Sequence, residues 1–220
     1  MTAVETLQVT RPEPLLEPWR WREFELPGGG GFQAMHEDAQ GRIWFATSRG
    51  VHRYDGLQWV SYYKPDGLID DHATAVTQTL DGTMWFGTER GISSFDGEDW
   101  HSYTRADGLA GDSVADGQAL LARRDGSLWA GFWSAAEGDS SGLSRFDGER
   151  WTTVALPDGA GRVSVRELAE SPEGSLWMGT VGHGVWQRRA GTWQQHHGVP
   201  SNGHCSDLEV ESDESVWAAC

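Results

Sequence analysis

The feature that most constrains this chain is a Trp-centred motif that recurs five times. The copies occupy residues 42–47, 83–88, 127–132, 175–180 and 215–220, and their tryptophans lie 41, 44, 48 and 40 residues apart. A period near forty residues, built from short strands, is typical of a propeller blade. The sequence therefore predicts a repeat architecture in which each unit packs against the next. It says little about function, because propellers carry many unrelated activities.

A second series of tryptophans supports the same period. It comprises Trp21, Trp59, Trp100, Trp151 and Trp193. Most of these follow an Asp-Gly turn, whose positive backbone angles suit two-residue hairpins. The residues between the two series of tryptophans alternate between bulky and polar, as they do in half-buried strands. In the second unit we predict strands at 73–79, at the motif, at 92–95 and from Trp100 onward. The prediction is an all-β fold, a β-propeller of about five four-stranded blade repeats of about 42 residues with an incomplete last blade.

The repeats divide the chain into two parts. Residues 1–20 are a polar, Pro-punctuated segment that we expect to be a mobile leader, and residues 21–220 carry the propeller repeats. Residues 21–27 match an outer fourth strand that could complete the final blade. A ring of six to eight blades would need roughly 250–340 residues at this period, so we expect the chain to be part of a larger ring. The alternative is a five-bladed ring with an imperfect last blade, or one completed by self-association through open blade edges.

Composition limits the partners that the chain can have. Its formal net charge of −16 argues against nucleic acid or an anionic membrane as the main partner. Cys205 and Cys220 are the only cysteines, and we expect two ordinary thiols rather than a disulfide or a metal pair. The sequence shows no signal-peptide pattern and no apolar run of about 18 residues. The expected location is therefore cytoplasmic by default, or periplasmic if the chain is a fragment of a sensor kinase, with no direct membrane insertion.

The repeat resembles a known family. Unit two contains Asp-Gly-Leu at 66–68, the motif with its Asp-Gly turn at 81–88, and Gly-Ile followed by Phe-Asp-Gly at 91–97. This pattern resembles the two-component regulator propeller repeat throughout residues 21–220. Propellers of that family usually form the extracytoplasmic sensor of bacterial hybrid histidine kinases and often sense polysaccharide breakdown products. A weaker likeness to streptogramin-lyase-type propellers rests on the Trp-Phe pairs at 44–45 and 85–86.

Candidate binding residues emerge when the units are aligned on the motif tryptophan. Nine residues before it, every unit has an apolar residue, which we interpret as packing, as we do the tryptophans themselves. Thirteen residues before it, at position −13, the residue type varies: Gly31, His72, Asp116, Ser164 and His204. Ring symmetry would bring these positions together at the mouth of the central channel. The predicted ligand site comprises His72, Asp71, Asp116, His204, Arg162 and Arg166; the alternative is that these are solvated rim residues.

The third unit also contains an insertion at 132–141, about seven residues longer than the matching connection at 88–90. Insertions in repeats map to loops and often to binding faces. Trp133 in this loop is a candidate for stacking on a sugar ring, although it could instead fold back over the blade.

These features favour a non-catalytic ligand-binding or sensory module with a small-molecule or oligosaccharide ligand. The chain has no phosphate loop, nucleophile elbow or helix-borne metal motif, so we assign no catalytic residues, no metal ligands and no cofactor. One alternative is a lyase-like enzyme acting on a cyclic or sugar-derived substrate. Such an enzyme would need a histidine and a carboxylate within hydrogen-bond reach of one substrate proton. A protein-interaction scaffold is the other alternative.

Overall fold

The computed structural model describes residues 26–116, 118–133, 141–156, 163–196, 205, 207–212 and 215–219. Their strands form four sheets of four strands and one sheet of two strands, all antiparallel, with consecutive strands side by side. This is the up-and-down order of a propeller blade. We number the sheets blade one to blade five along the chain. The all-β prediction is confirmed, and so is the incomplete last blade.

The strand bounds follow the repeat. Blade one contains β1 (Phe32–Glu37), β2 (Ile43–Thr47), β3 (Gly50–Tyr54) and β4 (Trp59–Tyr62). Blade two contains β5 (Ala73–Gln78), β6 (Met84–Thr88), β7 (Gly91–Phe95) and β8 (Trp100–Tyr103). Blade three contains β9 (Leu120–Ala122), β10 (Leu128–Phe132), β11 (Gly142–Phe146) and β12 (Trp151–Val154). Blade four contains β13 (Val165–Glu170), β14 (Leu176–Thr180), β15 (Val185–Arg189) and β16 (Thr192–His196), and blade five contains β17 (Asp207–Val210) and β18 (Val216–Ala219).

Helical structure in the described part of the chain is limited to short 3-10 turns at Pro27–Gly29, Lys64–Asp66 and Arg105–Asp107. None of these is long or apolar enough to cross a bilayer. The first strands of neighbouring blades contact one another. We call the row of five blades the arc, and these first strands lie on its inner side.

The hairpin between the third and fourth strands shows how the Asp-Gly turn works. In blade one the Asp55 carboxylate accepts hydrogen bonds from the backbone amides of Gln58 and Leu57, at 2.8 and 2.9 Å, and these bonds lower the pKa of Asp55. Gly56 supplies the positive φ of +95° that the turn requires. The aspartate therefore contributes a side-chain acceptor and the glycine the backbone angle. The same arrangement recurs at Asp96 and Asp147.

The motif tryptophans of blades one to four are buried between neighbouring blades. Trp44 and Trp85 are 0% and 4% exposed, and the equivalent residues of blades three and four are similarly covered. Trp44 contacts Phe95 of blade two with ring centroids 6.1 Å apart, and Trp85 contacts Phe146 of blade three at 5.0 Å. The prediction that these rings serve blade-to-blade packing is confirmed for these four blades.

The glycine two residues after the motif tryptophan allows the next blade to come close. A Cβ atom added at Gly87 would lie 2.5 Å from Cγ1 of Val114, which precedes the first strand of blade three. One added at Gly131 would lie 2.6 Å from Cγ1 of Val165 in blade four. In blades two and three this position is glycine because the neighbouring chain occupies the space of a side chain, whereas blades one and five have alanine there.

The two ends of the arc differ from its middle. The apolar residue nine before the tryptophan packs against the preceding blade, as Val76 does against Trp44. Met35 of blade one is instead 65% exposed, because no described blade precedes it. Trp217 of blade five is 66% exposed, because no described blade follows it. The expectation of packing at every repeat is therefore wrong for Met35.

Cys205 lies at the entry to blade five and is disulfide-bonded, so the expectation of two ordinary thiols is wrong. It is fully buried, in a cluster with Trp177, Val185 and Leu208. Cys220, the other cysteine of the sequence, lies outside the described residues. A disulfide needs Cα atoms within about 7 Å and suitably directed Cβ atoms, and the spacing of two cysteines in a sequence does not show whether these conditions are met.

Candidate functional site

A cavity of about 290 Å³ opens where the chain enters the first strands of the blades. Side chains from blades one to four line it, as the predicted convergence of position −13 requires. Four predicted residues line the cavity: His72, Asp116, Arg166 and Trp133. Four polar residues that the sequence argument did not select also line it: Gln33, Thr74, Glu89 and Ser113.

A repeated β-bulge directs three of these side chains. The pairing of the first strand with the second skips one residue in blades one, two and four, and the skipped residues are Gln33, Thr74 and Arg166. All three occupy position −11 and all three line the cavity. Bulges re-aim side chains and are frequent beside functional sites. The alternation of strand faces could have indicated position −11 from the sequence, since it lies two residues after position −13.

His72 is held by a carboxylate and by backbone bonds. Its Nδ1 lies 3.0 Å from Oε1 of Glu89, a residue of the turn after β6. The Glu89 amide donates to the His72 carbonyl at 3.3 Å, and the His72 amide donates to Oδ1 of Asp70 at 3.0 Å. The side chain of His72 remains 33% exposed. This pair can therefore bind a ligand or exchange a proton with one.

Asp116 and Arg166 supply the cavity with one charge of each sign. Neither forms an ion pair with any residue that the structure describes, so both can bind polar groups of a ligand. Thr74 is committed to the fold instead: its hydroxyl donates to the Val114 carbonyl at 3.0 Å and ties blade two to blade three.

Glu167, the neighbour of Arg166 in β13, is a buried carboxyl group close to the site. It is 5% exposed. Burial and the charge of Asp207 raise its pKa to about 7, although the Gln118 amide and the Arg166 charge oppose the shift. Its protonation near neutral pH therefore changes the electrostatic potential at Arg166.

Trp133 gives the cavity its aromatic surface. It is 40% exposed, and its backbone amide donates to the Ser113 carbonyl at 3.0 Å. The remainder of the inserted loop, residues 134–140, lies outside the described residues. Stacking of Trp133 on a ligand ring stays a prediction.

The other predicted site residues do not join this group. Asp71 is absent from the cavity lining: its carboxylate accepts from the Lys64 amide at 2.8 Å and its carbonyl accepts from the Gly50 amide at 2.6 Å. Its role is to fasten the connection between blades one and two. His204 and Arg162 lie outside the described residues.

The site offers hydrogen-bond donors and acceptors of both signs beside one aromatic face. Among the residues that the structure describes, no three His, Cys, Asp or Glu side chains are grouped so that they could hold a metal ion. The arrangement suits a polar organic molecule with several hydroxyl, amide or carboxylate groups.

Fold and cavity together define a β-propeller with a polar cavity at one end of its blades. Residues 26–49 match the family model described as Two component regulator propeller. The resemblance inferred from the repeat motif is thereby confirmed. No curated protein matches the sequence significantly.

Solved structures share the fold at low sequence identity. The extracellular domain of the hybrid two component system BT3049 from B. thetaiotaomicron is 17% identical, with a TM-score of 0.68 over 86% of this chain and 27% of that one. Virginiamycin B lyase from Staphylococcus aureus, as an inactive variant with quinupristin, is 16% identical, with a TM-score of 0.67 over 90% of this chain and 66% of that one. PorZ of the type-IX secretion system of Porphyromonas gingivalis is 15% identical, with a TM-score of 0.65 over 89% and 32%. The chain thus spans about a quarter of the BT3049 domain.

Proposed function

We propose that this chain is a ligand-binding sensory propeller module, the sensor portion of a bacterial two-component signalling protein. The observation that carries the proposal is the cavity in which side chains from four blades converge. The match to the two-component regulator propeller model supports the signalling context. The extracellular two-component domains that share the fold support it as well.

The ligand is a small polar molecule or an oligosaccharide. Asp116 and Glu89 can accept hydrogen bonds from hydroxyl groups, and Arg166 can donate to ring or carboxylate oxygens. Trp133 adds an apolar ring face, against which the flat side of a sugar can pack. A cavity of about 290 Å³ accommodates one or two sugar rings.

An extracytoplasmic location is part of this proposal. Disulfides persist in oxidising compartments, and Cys205 is disulfide-bonded. Met35 and Trp217, the packing residues at the two ends of the arc, are exposed. Their exposure supports a larger ring, whose further blades would cover them, or self-association of this chain.

Calorimetric titration with neutral and acidic oligosaccharides, for example xylohexaose and oligogalacturonides, tests the binding role. We expect saturable binding of at least one probe. Arg166→Gln and Trp133→Ala should each weaken it by about tenfold or more, because each removes a direct contact. Arg150→Gln and Trp217→Ala are matched controls outside the cavity and should bind as the parent does. Equal binding by all four variants would overturn the site assignment.

The His72–Glu89 pair favours lyase-like catalysis as the second candidate. The Glu89 carboxylate, 3.0 Å from Nδ1 of His72, can orient the imidazole ring as the partner of a general base does. Quinupristin, the compound in the virginiamycin B lyase structure, is the probe. Divalent-cation-dependent conversion of quinupristin that His72→Ala abolishes would replace the sensor proposal with the enzyme. Unchanged quinupristin would remove the support for this second candidate.

A further inference from the structure

A second concave surface lies at the opposite end of the blades, in the groove between blades three and four. It has a volume of about 550 Å³. The turn at 123–125, which joins β9 to β10, forms one side. The other side comes from the turns at 172–174 and 190–191 of blade four. Turns between first and second strands and between third and fourth strands share one end of an up-and-down blade, so this groove is separate from the ligand cavity.

Arg188 occupies a position in this groove that other blades give to an aromatic ring. It pairs with Leu176 across the sheet, as Phe95 pairs with Met84 in blade two and Phe146 with Leu128 in blade three. Those phenylalanines pack on the tryptophan of the preceding blade. The Arg188 guanidinium lies over Trp129 of blade three in the same way, 5.3 Å from the ring centroid. The blade interface therefore needs a flat group here but not a charged one.

The charge of Arg188 has no counter-ion in the described part of the chain. Its Nε is buried without a hydrogen-bond partner. Burial and the positive charges of Arg145 and Arg123 lower its pKa. An arginine without an acidic partner is unexpected in a chain whose formal net charge is −16.

The acidic residues of the groove already have other partners. Glu170 binds Arg123 at 2.9 Å and also accepts from the Arg124 amide at 3.0 Å. Glu173 binds Arg189 at 2.6 Å. Asp125 lies 3.4 Å from Arg123 and accepts from the amide and hydroxyl of Ser127.

Two more guanidinium groups accompany Arg188. Arg124 borders the groove, where its Nη1 donates to the Pro172 carbonyl at 3.2 Å. Arg145 is near enough to Arg188 to repel it. Neither forms an ion pair with a described residue. Arg145 lies beside the groove rather than in its lining, and its charge also acts on the Asp125 carboxylate. Arg188 and Arg124 thus give the groove guanidinium groups whose remaining donors can bind an anion.

We propose that the groove between blades three and four is a binding site for an oxyanion, a carboxylate, sulfate or phosphate group, held by Arg188 and Arg124 with Arg145 in support. Planar guanidinium groups bind such anions through paired hydrogen bonds. The anion also offsets the repulsion between the arginines. Arg188 is therefore an anion-binding residue at a position where packing between blades requires only a flat side chain.

The test is titration of the protein with inorganic phosphate, sulfate and citrate at constant ionic strength, followed by calorimetry and by the melting temperature. Constant ionic strength separates binding from general screening. We expect saturable binding of at least one anion and a melting temperature that rises with its concentration. Arg188→Phe restores the residue type of blades two and three. It should fold and lose about tenfold or more in affinity.

Arg150→Gln is the matched control, because it removes the same charge from an exposed site on blade three that is outside the groove. It should bind anions as the parent does. Arg124→Gln, at an exposed position, should weaken binding severalfold and keeps the test valid if Arg188→Phe fails to fold. No saturable binding by the parent, or equal binding by the parent and the folded groove variants, would overturn the proposal. Neither result affects the cavity at the other end of the blades.

Discussion

Trp85 and Trp217 occupy the same position in the same repeat and have opposite environments. Trp85 is 4% exposed between blades two and three, whereas Trp217 is 66% exposed on blade five. Each ring is carried by the second strand of its blade. The two blades differ in two ways: the described sheet of blade five has two strands rather than four, and no described blade follows it. A repeat of this kind encodes half of an interface, and the neighbouring repeat must supply the other half.

The largest effect is expected from Trp85→Ala, which removes a ring that contacts Tyr103, Phe146 and Trp151. We expect the free energy of unfolding to fall by about 3–5 kcal/mol, as for other buried aromatic residues. Urea denaturation followed by circular dichroism measures it. A variant that unfolds at the same urea concentration as the parent would contradict the packing role of the motif tryptophan.

Glu167 extends the comparison to a charged position. It is buried in blade four, whereas Asp207, its repeat equivalent in blade five, is exposed. Because the folded state raises the pKa of Glu167 from 4.5 to about 7, its carboxyl group contributes stability below pH 4.5. That contribution is lost as the pH rises through about 7.

Glu167→Gln should therefore stabilise the protein at pH 8, by on the order of 1–3 kcal/mol, and change little at pH 4. Thermal unfolding at both pH values measures this difference. Asp207→Asn should have a smaller effect of the same sign at pH 8, because it removes the Asp207 charge that helps to raise the pKa of Glu167 and leaves the larger contribution of burial in place. A Glu167→Gln variant with the same pH profile as the parent would show that the carboxyl group is not destabilised by burial.

The smallest effect is expected at the ends of the arc. Trp217→Ala and Met35→Ala should each change the free energy of unfolding by less than about 0.5 kcal/mol, as surface substitutions do. Sedimentation at two protein concentrations should accompany the measurement. A loss above about 2 kcal/mol would mean that these faces are covered in solution, and the comparison between middle and ends would fail.

The repeat made most of the fold predictable from the sequence. The strand predicted at 73–79 is found at Ala73–Gln78, and the fourth strand of blade two begins at Trp100 as expected. These features depend on local periodicity and turn chemistry, which one repeat contains in full. The exposure of Met35 was not predictable in this way, because it depends on what lies beside the blade.

The candidate site was predictable in part. Alignment on the motif correctly predicted that His72 and Asp116 lie in the same site, because position −13 is at the same end of every blade. It did not find Glu89, which reaches the site from a turn of ordinary sequence. It selected Arg166 but not Gln33 or Thr74, which occupy the same bulged position in blades one and two, because a bulge depends on how two strands pair. The stacking of Arg188 on Trp129 was missed for a similar reason, since it joins residues of different blades.

The exposed faces around Met35 and Trp217 have a consequence for symmetry. The equivalent residues of blades two to four lie on the two sides of the contact that joins neighbouring blades, so such a contact is head-to-tail. Heterologous contacts of this kind continue until the rotation per unit brings the last face back to the first. A linear array of blades always has one contact fewer than it has blades, and closure adds the missing contact without ordering any further backbone. The angle between successive blades, rather than any single residue, therefore determines how many of them make a finished assembly.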